Sequence, residues 1–233
     1  MAATALAGTT GAVSDATPTL TLKTGGGAVS AGDLCVAFLG YDNAITVSDA
    51  VGFTPLVGAT FTGGIAHILY KNCAGGETTW TPTMSAGERA EWVVVHIPAG
   101  EWHGTTVPEI NTVATGSSTT PNPGNATPSW GTDSGVATLY IASCFADDSA
   151  TPFPITGWPT NYGLINVESA GDGTASACDV AVAGRSVSAA SDDAPAFTMT
   201  STETWAAYTV MVRGPAAAGG DTLVPIIGAG YYW

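Results

Sequence analysis

The sequence runs through the same order of elements twice, and this internal repeat most strongly limits how the chain can fold. Each copy has an apolar run, a glycine–aromatic turn, a second apolar run and a Trp-led closing strand. In the first copy these elements are 34–38, 52–55, the run around Ile68, and 91–97. In the second copy they are 136–141, 157–160, the run around Val180, and 204–212. In both copies an aromatic residue followed by Thr, Met and Ser precedes the closing strand.

The spacing of the two copies predicts a duplicated half-sandwich. A period of roughly 110–115 residues is too long for a solenoid or a propeller blade. It fits two halves of about four strands each, neither of which buries its apolar face alone. Two independent domains are the alternative, which we disfavour because each would need a complete core from about 100 Gly-rich residues.

The local patterns indicate strands throughout. The apolar runs are short, rich in β-branched residues and bounded by turn residues, as in Pro98-Ala99-Gly100. The candidate helix at 85–91 is too short and leads directly into a strand. With 30 glycines and only 10% charged residues, the composition suits short strands and many turns. The chain is predicted to be all-β.

The 233 residues divide into a predicted sandwich and two arms. We predict an N-terminal arm or weak first strand, the sandwich with its two halves, a long outer loop between the halves, and a C-terminal arm. Their bounds are 1–19, 20–214 (halves about 20–100 and 134–214), 101–133, and 215–233.

The charge balance argues against nucleic-acid and membrane partners. Five basic residues stand against 19 acidic ones, which gives a net charge of −14. Phosphate binding requires clustered Lys and Arg, and anionic membrane surfaces require the same. The sequence has no apolar run long enough to span a bilayer, and its first residues lack the pattern of a signal peptide. The acidity suits solubility or docking on a basic partner.

No residue pattern predicts a catalytic, metal or cofactor site, so we expect a non-enzymatic protein. His67 and His96 lie in separate apolar strands, and His103 begins the long loop. A triad or a zinc site would need these residues to converge with a carboxylate or a nucleophile. Four cysteines lie far apart without zinc spacing and are expected to be reduced thiols. They are Cys35, Cys73, Cys144 and Cys178.

Several acidic pairs raise the alternatives of a glycosidase or a calcium site. Glycosidases use two facing carboxylates, and Ca²⁺ prefers oxygen ligands. None of the pairs matches a calcium-loop pattern. The two Asp-Asp pairs stand among Ser, Ala and Pro, so we interpret those two pairs as turn residues. The four pairs are Asp147 with Asp148, Asp192 with Asp193, Glu88 with Glu91, and Glu101 with Glu109.

Tryptophans next to loops keep a glycan-binding module open as an alternative function. Trp80, Trp92 and Trp205 begin or occupy strands and are predicted to lie in the core. Three others, Trp102, Trp130 and Trp158, adjoin loops, where exposed rings could stack on sugars.

The C-terminal segment is the predicted interaction site. A Gly- and Ala-rich tether precedes apolar and aromatic residues that a soluble monomer would not leave exposed. Either the segment folds back on its own sandwich or it adds a strand to a neighbouring subunit; we favour the second. The interacting residues are Leu223, Val224, Ile226, Ile227, Tyr231, Tyr232 and Trp233.

The strand and turn motifs resemble a family of structural proteins of tailed bacteriophages. Its members combine a G-D-L-L-V-A-F-like strand, a G-W/F-T-x-L turn and a W-V-x-x-x-x-x-I-like strand, followed by a degenerate second copy. The matching residues are Gly32 to Phe38, Gly52 to Leu56, Tyr70-Lys71, Gly76-Glu77 with Trp80-Thr81, and Trp92 to Ile97. The resemblance covers residues from about 20 to 214.

The resemblance implies a single jelly-roll-like β-sandwich in a virion, and it supplies no catalytic residues. The first hypothesis is a homo-oligomeric capsid decoration (cement) protein that binds and stabilises the major capsid protein lattice. The second is a tail or fibre component that contacts the host. A carbohydrate-binding module is the alternative from another class.

Overall fold

The computed structural model describes residues 2–9, 16–131, 136–148, 155–169 and 177–215, and all regular structure within them is β-strand. In the first half the strands are β1 (Thr4–Thr9), β2 (Leu20–Thr21), β3 (Leu34–Tyr41), β4 (Val47–Asp49), β5 (Thr54–Phe61), β6 (Gly64–Asn72), β7 (Thr79–Trp80), β8 (Thr83–Met84) and β9 (Ala90–Ile97). In the second half they are β10 (Glu109–Ile110), β11 (Ala114–Ser118), β12 (Gly124–Ala126), β13 (Thr138–Asp148), β14 (Ile155–Gly157), β15 (Ile165–Ser169), β16 (Ala177–Val187), β17 (Asp192–Ala194), β18 (Thr198–Met199) and β19 (Glu203–Arg213). The described part of the chain contains no helix with the length and hydropathy needed to cross a bilayer.

Each half forms one antiparallel main sheet with the same strand order. The first sheet runs β1-β9-β3-β6-β5, and the second runs β10-β19-β13-β16-β15 with β11 also paired to β19. Short ribbons repeat as well: β2-β7 and β4-β8 in the first half correspond to β12-β17 and β14-β18 in the second. The repeat in the sequence is therefore a repeat of topology, and the predicted all-β sandwich is confirmed.

The two main sheets pack face to face around a central core. Phe38 and Val93, which are directly opposed in the first sheet, contribute to this core together with Ile141 and Val210 of the second sheet. All four side chains are fully buried. Side chains that alternate along the same strands point to the opposite face of the sheet, because successive residues of a strand face opposite ways.

A further core cluster covers the outer face of each main sheet. In the first half, Leu20, Trp80 and Met84 from the short ribbons pack on the outward side chains of β3 and β9. In the second half, Phe197 and Met199 do the same over β13 and β16. All residues of β3 and β9 are consequently buried. This explains why their sequences are mostly apolar and do not alternate, with Glu91 and His96 as buried polar exceptions in β9.

The sheets are stacked with opposite strand orders. β1 contacts β15 at one side of the stack, β9 and β3 contact β16 in the middle, and β5 contacts β19 at the other side. β15 is the counterpart of β5, and β19 is the counterpart of β9. The contacts between the halves are therefore reciprocal, as expected of two halves related by an approximate two-fold axis.

The stretch 101–133, which we expected to be an outer connection, also contributes strands. It supplies β10 and β11, which extend the second sheet next to β19, and β12, which pairs with β17. Within the predicted N-terminal arm, Thr4–Thr9 pairs with β9 along its whole length. Both segments have a surplus of small polar residues, which hid their strand character. The jelly-roll winding stays a prediction.

Candidate functional site

A histidine–aspartate pair is buried in the first half of the sandwich. His96 Nε2 donates to Asp33 Oδ2 over 2.7 Å, and the two residues are 4% and 3% exposed. The same carboxylate accepts the backbone N–H groups of Ser30 and Ala99, each over 2.8 Å. Burial alone would raise the pKa of Asp33, but the hydrogen bonds from His96, Ser30 and Ala99 outweigh it and hold this pKa below its ordinary value.

The Asp33 contacts join three segments of the first half. Asp33 directly precedes β3, His96 lies in β9, and Ala99 belongs to the turn that follows β9. All of these partners donate N–H groups from the strands and turns of the sandwich. The pair therefore acts as a clamp that holds the start of β3 and the end of β9 together. The sequence indicated this role only by placing Gly32-Asp33 directly before the strand.

The other two histidines lie at separate places. His67 donates through Nε2 to the Ile45 carbonyl over 2.6 Å, and burial lowers its pKa although this hydrogen bond acts the other way. His103 places Nδ1 2.8 Å from Thr106 Oγ1 in the loop after β9. The three histidines therefore serve three different local structures, as the sequence predicted for sheet and loop positions.

The members of the acidic pairs lie mainly in strands, so the interpretation of the Asp-Asp pairs as turn residues was wrong. Asp147 and Asp148 end β13, and Asp192 and Asp193 lie in β17. Glu109 accepts the Ser129 backbone N–H over 2.7 Å and the Ser129 hydroxyl. Glu101 accepts the Ala2 N–H over 2.7 Å. Asp192 is buried and accepts the Tyr162 hydroxyl over 2.7 Å. Among the described residues, no group of three or more His, Cys, Asp or Glu side chains is placed to hold a metal ion.

All three loop tryptophans have structural contacts. Trp102 is 4% exposed, belongs to the central core and donates to the Gly32 carbonyl over 2.9 Å. The idea that its ring could be exposed for sugar stacking was therefore wrong, because the chain after β9 folds inward at this point. Trp158 is partly buried and meets Phe197 edge to face at 6.0 Å between ring centroids. Trp130 donates through Nε1 to Thr138 Oγ1 over 3.0 Å.

A polar cleft of about 540 Å³ opens where the ends of β5, β11 and β19 meet. Five hydroxyl side chains line it, together with the rings of Phe61 and Trp205: Thr60, Thr62, Thr115, Ser117 and Thr204. The Thr204 hydroxyl donates to the Thr62 carbonyl over 2.6 Å and thereby links the two halves at the cleft. Sequence reasoning missed this site because its residues are ordinary Thr and Ser from three distant segments.

The predicted interaction residues Leu223, Val224, Ile226, Ile227, Tyr231, Tyr232 and Trp233 lie outside the residues that the structure describes. Their proposed role in contacts between subunits therefore stays a prediction. The last described strand, β19, ends at Arg213 in the middle of the second sheet, between β10 and β13.

Comparison of the chain with protein-family models, with curated protein sequences and with solved structures gives no significant match.

Proposed function

We propose that the protein is a non-enzymatic structural component of a bacteriophage virion, most specifically a decoration protein that binds the major capsid protein lattice and stabilises it. One observation carries this proposal: the residues in which the chain resembles phage structural proteins build the frame of the sandwich. Gly32 turns the chain with a φ of 84°, and Asp33 clamps the strand ends.

The turn motif, Gly52 to Leu56, also supports a structural role. Phe53 stacks on Trp80 at 4.1 Å between ring centroids, and Trp80 donates through Nε1 to the Ala50 carbonyl over 2.8 Å. The motif residues thus provide packing and turn geometry, which is the contribution expected of a protein whose task is mechanical.

The layered architecture also favours a structural role. Both main sheets have a core cluster on each face, so their strands are held by packing from two sides. A decoration protein must keep its shape while it adheres to a particle, and packing on both faces of a sheet provides that rigidity. The net charge of −14 supports docking on a basic surface, which predicts that binding weakens as salt increases.

The deciding measurement is the number of copies in purified particles of the phage that encodes the chain. Quantitative mass spectrometry would compare its peptides with those of the major capsid protein and of a tail-tube protein. We expect hundreds of copies. A few to a few dozen copies would assign the protein to the tail or fibre, and absence from the particle would overturn a virion role altogether.

The polar cleft favours carbohydrate binding as a second candidate function. Its volume lies within the range of small-ligand sites, and its hydroxyls can donate to and accept from the hydroxyls of a sugar. A glycan array would test this candidate with the wild type and with a Thr60→Val, Thr115→Val double variant. Thr81→Val, an exposed position outside the cleft, is the matched control. Binding that the double variant loses and the control keeps would support it; an array without any bound glycan would exclude it.

A further inference from the structure

Two of the four cysteines face each other in the outer core of the first half. The sulfur atoms of Cys35 and Cys73 lie 3.6 Å apart, within S–H···S hydrogen-bonding distance. Cys35 belongs to β3, and Cys73 directly follows β6, the neighbouring strand. The direct partner of Cys35 across this strand pair is Lys71, and Cys73 lies two residues further on the same face of the sheet.

We propose that Cys35 and Cys73 are a site of oxidative modification and form an intramolecular disulfide when the protein meets an oxidising medium. The sulfur atoms must approach from 3.6 Å to about 2.05 Å. Cys73 is followed by Ala74, Gly75 and Gly76, and both glycines have φ near 90°. The Cys73 backbone is held on both sides, because its N–H donates to the Asp33 carbonyl and its carbonyl accepts the Gly32 N–H. Rotation of the two side chains must therefore supply most of the approach.

The remaining cysteines cannot compete for this pairing. Cys144 belongs to the outer core of the second half, whereas Cys178 belongs to the central core. They lie on opposite faces of the same sheet, and the Cys35–Cys73 pair lies in the outer core of the other half. All four are free thiols in the structure. The geometry thus selects one of the six pairings that four cysteines allow.

Cys73 is the better-placed first nucleophile. Both side chains are buried, but Cys73 is 3% exposed and lies next to the loop 74–76, whereas Cys35 is 0% exposed. The hydrogen bond with Cys35 lowers the pKa of Cys73, although burial and the Glu77 and Asp33 carboxylates act against it; the Lys71 ammonium acts in the same direction as the hydrogen bond. Thiolate character and access together determine which thiol reacts first.

A low-molecular-weight disulfide is the oxidant that accepts the electrons in this reaction. The Cys73 thiolate attacks one sulfur of the oxidant, forms a mixed disulfide and releases one thiolate. Cys35 then loses its proton and attacks Cys73 Sγ, which releases the second thiolate. In total the protein gives up two electrons and two protons, and the oxidant becomes two thiols.

The proposed oxidation does not depend on a virion role. It predicts free thiols in a reducing medium and a disulfide in an oxidising one. In a reducing cytosol the two thiols persist, whereas an oxidising exterior favours the cross-link. The cross-link would join residues 38 positions apart and restrict the unfolded chain. We expect the melting temperature to rise by roughly 5–10 °C on oxidation.

The test equilibrates the reduced full-length protein in buffers with increasing ratios of oxidised to reduced glutathione. Alkylation after denaturation, followed by peptide mass spectrometry, counts the free thiols and maps the linkage. We expect loss of two thiols, one peptide pair that joins Cys35 to Cys73, and a higher melting temperature.

Variants separate the proposed pair from the other thiols. Cys144→Ala should keep both the linkage and the rise in melting temperature, whereas Cys35→Ala and Cys73→Ala should lose both. The peptide map of the wild type needs no variant and stays decisive if a variant fails to fold. Four alkylated thiols at every ratio, or a linkage that involves Cys144, Cys178 or a second molecule, would overturn the proposal.

Discussion

His96 donates a hydrogen bond of 2.7 Å to Asp33 inside the first half of the sandwich, and both side chains are almost completely buried. The same carboxylate receives two backbone N–H groups, from Ser30 and from Ala99. A single side chain thereby holds the start of β3, the end of β9 and the turn that follows β9. Removal of its charge should therefore loosen three connected segments at once.

Replacement of Asp33 by Asn should lower the free energy of unfolding at pH 7 by about 1–3 kcal/mol. The amide keeps the volume but offers only one oxygen for three donors. Chemical denaturation monitored by tryptophan fluorescence measures the difference. Asp49→Asn is a suitable control, because Asp49 is exposed and accepts the Val51 N–H of its own turn; an equal loss in both variants would contradict the clamp.

The Asp33 clamp should also shape the stability of the protein in acid. Because the pKa of Asp33 is lower in the folded state, its contribution is fully present above the unfolded-state pKa of about 3.9. It is lost as the pH falls through the folded-state value. The difference in free energy of unfolding between wild type and Asp33→Asn should therefore shrink below about pH 4. A constant difference down to pH 2 would contradict this assignment.

His67 should make the protein less stable in mildly acidic solution. Burial lowers the pKa of its imidazole, so the unfolded chain binds a proton at a higher pH than the folded chain does. Its contribution is complete above the unfolded-state pKa of about 6.5 and falls as the pH drops below that value. His67→Gln should flatten the dependence of the free energy of unfolding between about pH 7 and pH 5, and His103→Gln provides the comparison in an outer loop.

Gly40 should be intolerant of any side chain. A Cβ at this position of β3 would lie 2.5 Å from the carbonyl oxygen of Cys178 and 2.9 Å from its sulfur. Gly40→Ala would push the two main sheets apart and should reduce the free energy of unfolding by at least about 1–3 kcal/mol. Gly27→Ala is the matched control, since nothing lies within 4 Å of a Cβ there. Equal denaturation midpoints for the two variants would be inconsistent with this close approach.

A chain that ends after Pro215 should fold normally and fail to bind its assembly partner. The truncation removes Leu223, Tyr231, Trp233 and the other predicted interaction residues but leaves every described strand intact. We expect an unchanged melting temperature together with loss of sedimentation with capsids that lack the protein. Full binding by the truncated chain would show that the sandwich itself carries the contact.

The apolar runs were sufficient to predict the long strands, because burial from both sides leaves a continuous apolar sequence with turn residues at its ends. The pattern around Leu34 and Trp92 is of this kind. The same reasoning could not find β11, whose residues Ala114 to Ser118 are small and polar and form a strand because β19 offers a free edge. Pairing of this kind depends on tertiary contacts more than on local propensity.

The polar sites were harder to anticipate, since each brings together residues that are distant in sequence. His96 and Asp33 are 63 positions apart, and nothing in their local sequences links them. Trp102 follows a strand at the beginning of a polar loop, yet its ring turns inward to the Gly32 carbonyl. Cys35 and Cys73 looked like isolated thiols until the register of β3 and β6 placed them on one face.

The approximate two-fold axis between the halves has the geometry of a homodimer enclosed within one polypeptide. Two separate copies of a half would have to find each other, and their assembly would weaken on dilution. The segment between β9 and β13 turns that encounter into an intramolecular step with an effective concentration of about millimolar or more. The duplicated chain can therefore diverge on its two outer surfaces while its central interface remains closed at any protein concentration.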